Sequence, residues 1–344
     1  MRSLTKIRHI TGQWKATVVL SRTLSNNTNG NNRNNFGEKF LRKETISFEF
    51  KGNKFTLPSV IQDTQPDGSQ LGTVIAMHGS PGSHNDFKYV SPLLHQKGIR
   101  FIGVNFPGYG LTEADPRLNQ DNMERVSYVQ ALCEHLNLRE NLIFMGHSRG
   151  TENALKMAAL NPEKTVGIVQ ANYLGARIHR GIRPTWSLSL VGYLWELGWP
   201  RIFLRTLLYY AYNYAVNIKV KTGDEGAWAL CSMRAEKLEL PKQKHFVEML
   251  NKTDIKSLLL YSGKDPLMER EIPKEMAALF KGNRHFELDS KTPDDEIKQL
   301  VCGEFESGTQ SVAVYFNKDG HFMQKYRARL MADACESILR SAQK

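Results

Sequence analysis

Two different spacings of apolar residues follow one another along the chain. Residues 44–65 alternate apolar and polar side chains around Lys51-Gly52-Asn53, which predicts an antiparallel hairpin. From residue 73 onward, short apolar runs alternate with segments whose apolar residues recur every three or four positions. The runs predict buried strands at 73–77, 101–105, 142–145, 166–171, 258–261 and 311–316. The segments between them predict helices at 87–96, 123–136, 152–160, 272–280 and 323–340.

The alternation of strands and helices predicts the fold class. Parallel strands need crossover connections, so this order predicts an α/β fold with a mostly parallel, twisted sheet and helices on both faces. The pattern covers residues 38–174 and 257–344, which we expect to form one core domain. Within the second segment, the charged stretch at 289–310 is interpreted as a polar insertion.

The segment 175–256 interrupts the alternation and has a different composition. It is rich in Trp, Tyr, Leu and Arg, and its longest uncharged run, 206–218, has 13 residues. A membrane-spanning helix needs about 20 apolar residues, so this run is too short to span a bilayer. We interpret the segment as a helical cap whose aromatic face lies on the core or over a pocket. Because Arg201 and Arg205 flank apolar residues, peripheral contact with a lipid interface is also compatible with the pattern.

The first 37 residues are basic and contain no acidic residue. Their apolar residues recur at helical spacing, with basic and hydroxyl residues between them: Leu4, Ile7, Ile10, Trp14 and Val18. This pattern is typical of a mitochondrial targeting segment, and a disordered tail is the alternative. A targeting segment would correspond to a mitochondrial location, and a disordered tail to a cytoplasmic one.

The charge distribution argues against a nucleic-acid-binding protein, and the cysteine spacing argues against a metal site. The net charge of +11 falls to +5 without residues 1–37, which carry six basic residues, and the remainder has no run of five Lys or Arg. No nucleic-acid-binding motif is present, so we expect no nucleic-acid partner. The four cysteines are widely spaced without a C-x-x-C pair, and we expect neither a metal nor a cofactor.

A G-x-S-x-G pentapeptide carries the strongest chemical signal. Gly146-His147-Ser148-Arg149-Gly150 follows the predicted strand 142–145 and precedes the predicted helix 152–160. In a sharp turn between a strand and a helix, a serine hydroxyl is exposed above the sheet as a nucleophile. Gly146 and Gly150 lack the Cβ atoms that would meet the neighbouring strand or helix.

A second glycine-rich turn, His78-Gly79-Ser80-Pro81-Gly82-Ser83, follows the predicted strand 73–77. Attack on an acyl carbonyl creates an oxyanion, which two backbone N–H groups can stabilise. We expect the N–H groups of Ser80 and Arg149 to form this oxyanion hole. The Arg149 side chain either binds an anionic substrate group or pairs with a nearby acid, and the second is favoured. His78, Gly79 and His147 are expected to support these loops.

The motifs His78–Gly82, Phe106-Pro107-Gly108-Tyr109-Gly110 and Gly146–Gly150, in this order, resemble the α/β-hydrolase superfamily over about residues 70–340. The resemblance implies an acid after a late strand and a histidine after the last strand. Asp265 and His321 occupy these positions, and with Ser148 they would form the catalytic triad, Asp319 being the remaining candidate for the acid. Asn105 departs from the pattern, because many relatives carry Asp there.

The predicted triad favours one reaction class. A serine activated by histidine attacks acyl carbonyls, whereas Asp at the elbow would indicate epoxide or haloalkane chemistry. We therefore expect a hydrolase of carboxylic esters or related acyl bonds, whose partner is a small-molecule substrate with an apolar acyl or ester group. The alternatives are a non-catalytic binding module, and an acyltransferase or thioesterase with the same triad. The sequence predicts no oligomeric state.

Overall fold

The computed structural model describes residues 36–343. The predicted targeting segment or tail at 1–37 lies outside the described residues, except for its last two positions. The described chain is built on one sheet of nine strands in the order β1-β2-β4-β3-β5-β6-β7-β9-β8. The strands are β1 Leu41–Phe50, β2 Asn53–Asp63, β3 Thr73–Met77, β4 Arg100–Gly103, β5 Leu142–His147, β6 Thr165–Ala171, β7 Lys256–Ser262, β8 Asn283–Leu288 and β9 Ser311–Phe316.

Only the first part of the sheet is antiparallel. β1 pairs antiparallel with β2, and β2 pairs antiparallel with β4, whereas every pairing from β4 to β8 is parallel. The hairpin shows the alternation predicted from the sequence, since Phe55, Leu57, Ser59 and Ile61 of β2 are buried and the residues that alternate with them are more exposed. The prediction of a mostly parallel α/β sheet is confirmed.

Helices cover both faces of the sheet. They are α1 Ser91–Gln96, α2 Asn122–His135, α3 Gly150–Leu160, α4 Thr185–Glu196, α5 Arg201–Tyr210, α6 Gly223–Ser232, α7 Ala235–Leu238, α8 Gln243–Leu250, α9 Glu271–Ala277, α10 Asp294–Glu306, α11 Met323–Tyr326 and α12 Ala328–Ala342. Side chains of α2, α3, α8 and α9 share one buried cluster with one face of the sheet. Those of α1, α10 and α12 pack on the other face.

Five helices, α4 to α8, lie between β6 and β7, in the segment predicted to form a cap. A π-helical turn, Ala211–Val216, extends α5. α4, α5 and α6 share a small apolar cluster of their own around Trp195, Leu204 and Leu208. The division into core and cap domains stays a prediction.

Three details of the predicted elements are wrong. The charged stretch at 289–310 contains α10, whose Ile297, Val301 and Phe305 recur every four residues and pack against the sheet. The edge strand β8 was not predicted, because its charged residues hide the apolar pattern. The predicted closing helix at 323–340 is divided at Arg327 into α11 and α12.

Within residues 36–343, every helix is too short or too polar to cross a membrane.

Candidate active site

Ser148 occupies a strained turn between β5 and α3. Its φ angle is +51°, a left-handed conformation that costs a non-glycine residue about 1–2 kcal/mol. The Ser148 N–H donates to the carbonyl of Ala171 at 2.9 Å, which ties the turn to the end of β6. The residue is 6% exposed. The strain is located at one serine between two glycines, as expected for a nucleophile turn.

The two glycines of the pentapeptide are required by close backbone contacts. A Cβ atom on Gly146 would lie 2.6 Å from the backbone nitrogen of Thr151. A Cβ atom on Gly150 would collide with the carbonyl of Met77 and lie 2.6 Å from the carbonyl oxygen of His78. Both glycines therefore let the turn pack directly against α3 and the end of β3.

The structure brings Asp265 and His321 together. Asp265 follows β7 and His321 follows β9, and these strands are parallel neighbours, so both loops leave the same edge of the sheet. His321 Nδ1 lies 2.8 Å from Asp265 Oδ2, and the Leu267 N–H donates to Asp265 Oδ1 at 2.8 Å. When Nδ1 donates to the carboxylate, the lone pair of Nε2 is left to accept a proton.

The surroundings of Asp265 keep its carboxylate charged. Burial alone would raise the pKa of Asp265, but the hydrogen bond and charge of His321 act in the opposite direction. Together with the Leu267 N–H they lower the pKa below its ordinary value. An ionised Asp265 can stabilise an imidazolium on His321.

His321 is held beside the serine turn through its backbone. Its carbonyl accepts hydrogen bonds from Asn172 Nδ2 at 2.6 Å and from His147 Nε2 at 3.1 Å. The rings of His147 and His321 lie with their centroids 5.0 Å apart. The Ser148 hydroxyl itself forms no hydrogen bond with His321 in the described chain. Such catalytic hydrogen bonds are often long before substrate binds.

Within residues 36–343, the backbone N–H groups of Ser80 and Arg149 form no hydrogen bond, and neither does that of Gly82 in the same turn as Ser80. Both the Ser80 and the Arg149 N–H groups are therefore available to an acceptor that binds beside Ser148. The two loops are in close contact, because a Cβ atom on Gly79 would lie 3.3 Å from Ser148 Cβ. Arg149 also precedes the first turn of α3, where the helix dipole favours negative charge.

Asp86 organises the glycine-rich turn and is absent from the site residues predicted from the sequence. Its carboxylate accepts hydrogen bonds from the N–H groups of Gly79 at 3.2 Å and Ser83 at 3.3 Å. Its Oδ2 also lies 3.3 Å from His147 Nδ1. Burial would raise the pKa of Asp86, but His147 and His78 lower it, so the carboxylate stays ionised. Ser83 and Asp86 form a capping box, a pattern that the sequence does contain.

His78 supports the same turn in its neutral form. Its Nδ1 donates to the Gly79 carbonyl at 2.7 Å, and its Nε2 accepts from the Phe106 N–H at 3.1 Å. Burial lowers the pKa of His78 to about 4, because an imidazolium would be desolvated there. These contacts fit a supporting residue and leave His78 no free nitrogen for proton transfer.

The Arg149 side chain points into the protein and pairs with an acid. It is fully buried, and one guanidinium nitrogen donates to Glu152 at 2.9 Å and to Asn122 at 2.8 Å. Burial lowers the pKa of Arg149 to about 10 and raises the pKa of Glu152. Of the two predicted roles for this side chain, pairing with a nearby acid agrees with the geometry.

The helical insertion touches both sides of the candidate site. Ser80 Oγ lies 2.6 Å from Ser232 Oγ at the end of α6, and the Ser232 carbonyl accepts from Arg149 Nε at 3.2 Å. On the other side, His179 Nδ1 donates to the Leu267 carbonyl at 2.9 Å, in the loop of Asp265. The sequence carries no signal for these contacts, because they join residues far apart in the chain.

Comparisons with known proteins agree with this architecture. A family model described as "Alpha/beta hydrolase of unknown function (DUF1057)" matches residues 38–340. An uncharacterized protein of Caenorhabditis elegans is 32% identical over 295 residues, which cover 82% of each chain. A bifunctional epoxide hydrolase 2 of Sus scrofa is 29% identical over 100 residues, 29% of this chain and 18% of that protein.

The fold is also similar to that of solved hydrolase structures. An esterase from Thermogutta terrifontis superimposes with a TM-score of 0.60 at 17% sequence identity. The match covers 88% of this chain and 100% of the esterase. At this identity the similarity establishes the fold and leaves the substrate open.

Proposed function

The chain belongs to an α/β-hydrolase family, and we propose that it is a serine hydrolase that cleaves a carboxylic ester or related acyl bond. Ser148 is the nucleophile, His321 the general base and Asp265 the acid. The observation that carries the proposal is the 2.8 Å contact between Asp265 and His321, at the same sheet edge as the left-handed serine.

The proposed reaction follows from these positions. His321 Nε2 takes the Ser148 proton while Oγ attacks the carbonyl carbon, and the carbonyl oxygen becomes an oxyanion. The N–H groups of Ser80 and Arg149 would donate to that oxyanion. The imidazolium then protonates the leaving alcohol, which departs and leaves an acyl-serine. Water, deprotonated by His321, attacks the acyl group and releases the acid, restoring the serine hydroxyl.

The identity of the residue at the turn separates this proposal from other hydrolase chemistry. Epoxide and haloalkane substrates are opened by a carboxylate at the elbow, whereas this chain carries Ser148 there. A non-catalytic module remains the rival in another class. Complete retention of the serine, acid and base, with both glycines, favours an enzyme over that rival.

Reaction with a fluorophosphonate probe tests the proposal. We expect rapid labelling of the full chain and loss of labelling in Ser148→Ala, since the probe reacts with an activated serine. Ser337→Ala is the matched control, because Ser337 is also buried but lies on α12. Absence of labelling in folded wild-type protein, or equal labelling of Ser148→Ala, would overturn the proposal.

The acyl acceptor and the substrate class need separate measurements. Hydrolysis of p-nitrophenyl esters of graded chain length should favour longer acyl chains if the aromatic insertion lines an apolar pocket. Reaction exclusively with short chains would contradict an apolar pocket. Product analysis in the presence of competing alcohols and thiols distinguishes hydrolysis from acyl transfer: the free acid should predominate.

A further inference from the structure

Two helices of the insertion expose apolar stripes that no part of the described chain covers. On α4 the exposed residues are Trp186, Leu190, Tyr193 and Leu197, the last being the residue that caps the helix. On α5 and its π-helical extension they are Phe203, Leu207, Tyr210 and Tyr214. Both sets have the same spacing of four, three and four residues, so each set lies along one side of its helix. We call these two stripes, together with the exposed Trp199 in the turn between the helices, the α4–α5 surface.

These stripes are separate from the side of the helices that packs inward. Trp195 of α4 and Leu204 and Leu208 of α5 are buried against Ala227 and Cys231 of α6. The helices are therefore apolar on two sides, although a helix on the surface of a globular protein normally presents polar residues to water. An exposed cluster of large apolar side chains indicates a binding surface.

The exposure of the aromatic residues is too large to be a by-product of core packing. Trp199, in the turn between the helices, is 74% exposed, Phe203 is 72% exposed and Tyr214 is 73% exposed. The rings of Tyr210 and Tyr214 stack with centroids 5.8 Å apart. Trp and Tyr are the residues that favour the headgroup region of a bilayer, where the ring is buried and the polar atom remains hydrated.

The charge of the α4–α5 surface indicates which kind of partner binds to it. Glu196 at the end of α4 pairs with Arg234, and between Glu196 and Asp224 the chain carries no acidic residue and four basic ones: Arg201, Arg205, Lys219 and Lys221. Arg205 pairs with Asp224, whereas the other three form no ion pair within residues 36–343. Lys219 Nζ lies 5.5 Å from the Tyr214 ring, so positive charge borders the aromatic side chains. A second copy of the chain would bring like charges together, whereas an anionic headgroup layer is complementary.

We propose that the α4–α5 surface docks the protein on the headgroup layer of an anionic phospholipid bilayer. The aromatic side chains insert among the headgroups, and the basic residues contact phosphate groups. The contact is peripheral. It places the bilayer against α4 and α5, which pack on α6, and the end of α6 bonds to Ser80. The docking itself does not depend on the proposed catalytic activity.

Vesicle co-sedimentation of the full-length protein tests the docking surface. The probe is phosphatidylcholine vesicles with and without phosphatidylglycerol, and the variant is the triple substitution Trp199→Ala, Phe203→Ala, Tyr214→Ala. We expect wild-type protein to bind the anionic vesicles and the triple variant to partition at least about tenfold more weakly. The matched control is Leu160→Ala, Leu279→Ala, Tyr326→Ala, which removes three exposed apolar side chains elsewhere and should bind like wild type.

Several outcomes would overturn the docking proposal. Equal binding by the triple variant would assign the interaction to residues 1–37, which all of these proteins retain. A wild-type dimer in sedimentation velocity that the triple variant abolishes, without vesicle binding, would assign the surface to a second copy. Fluorophosphonate labelling of the triple variant at the wild-type rate separates a failure of docking from a failure of the proposed activity, and an unchanged thermal melt excludes unfolding.

Discussion

His321 Nδ1 and Asp265 Oδ2 lie 2.8 Å apart, although the two residues are 56 positions apart in the chain. The parallel pairing of β7 with β9 accounts for this contact, because it places the ends of both strands at one edge of the sheet. Asp319, much nearer to His321 in sequence, instead bonds to Arg327 at 2.7 Å. The geometry therefore favours Asp265 over Asp319 as the partner of His321.

Substitution of the two acids tests this choice. Asp265→Asn should lower kcat for a p-nitrophenyl ester by about 10³–10⁴-fold, because the amide cannot stabilise the imidazolium or fix its tautomer. Asp319→Asn is the control and should lose stability without a comparable loss of kcat. A large loss of kcat in Asp319→Asn, with Asp265→Asn near wild type, would reverse the assignment.

Asn172 should act as a positioning residue for His321. Its amide donates to the carbonyls of His321 at 2.6 Å and Gly320 at 3.1 Å, and its φ angle is +47°. Asn172→Ala should lower kcat by about 10–100-fold, since the histidine loop loses its anchor. Asn217→Ala replaces another asparagine with positive φ, which directly follows the π-helical turn of the insertion, and should lower stability alone. Equal kcat in both variants would show that the anchor has no role in activity.

The burial of His78 predicts a pH-dependent stability. Burial lowers its folded-state pKa to about 4, against an ordinary value of 6.5. Because the neutral form is favoured in the folded state, the stabilisation is fully present above pH 6.5. It is lost as the pH falls towards 4, and amounts to about 3 kcal/mol. Urea unfolding of His78→Gln across this range should show a flatter pH dependence than wild type. His245→Gln, at an exposed position, should retain the wild-type slope.

Gly150 and Gly303 differ in the space that is available for an added Cβ atom. Gly150→Ala places a Cβ atom against the carbonyls of Met77 and His78, so it should destabilise the protein by about 1–3 kcal/mol or more. Gly303→Ala, within α10, has nothing within 4 Å of the added atom and should stabilise by about 0.5–1 kcal/mol. Urea unfolding measures both changes. Similar effects of the two substitutions would contradict the close packing of the serine turn.

The sequence predicted the central strands because each is buried on both sides and therefore continuously apolar, as in β5 and β7. The prediction of strands from apolar runs missed β8, an edge strand whose Arg284 and Glu287 remain accessible and interrupt the apolar pattern. The prediction of helices missed α10, because three acidic residues in its first turn obscure the apolar spacing that follows.

In the candidate site, some residues could be predicted from their position along the chain and others could not. The positions of Ser148, Asp265 and His321 relative to strand ends can be read from sequence, because parallel strands end at one edge. The side chains that hold them in place, including Asp86, Asn172 and Ser232, were not found. Their contacts depend on how separate loops and the insertion pack, and no local pattern encodes that packing.

One residue of the insertion, Ser232, contacts the side chains of both residues whose backbone N–H groups are the proposed oxyanion donors. Its hydroxyl lies 2.6 Å from Ser80 Oγ, and its carbonyl accepts from Arg149 Nε. An outward displacement of α6 would break both attachments together. The glycine-rich turn and the start of α3 would then lose their connection to the insertion at the same time. The end of α6 therefore couples the insertion to both loops.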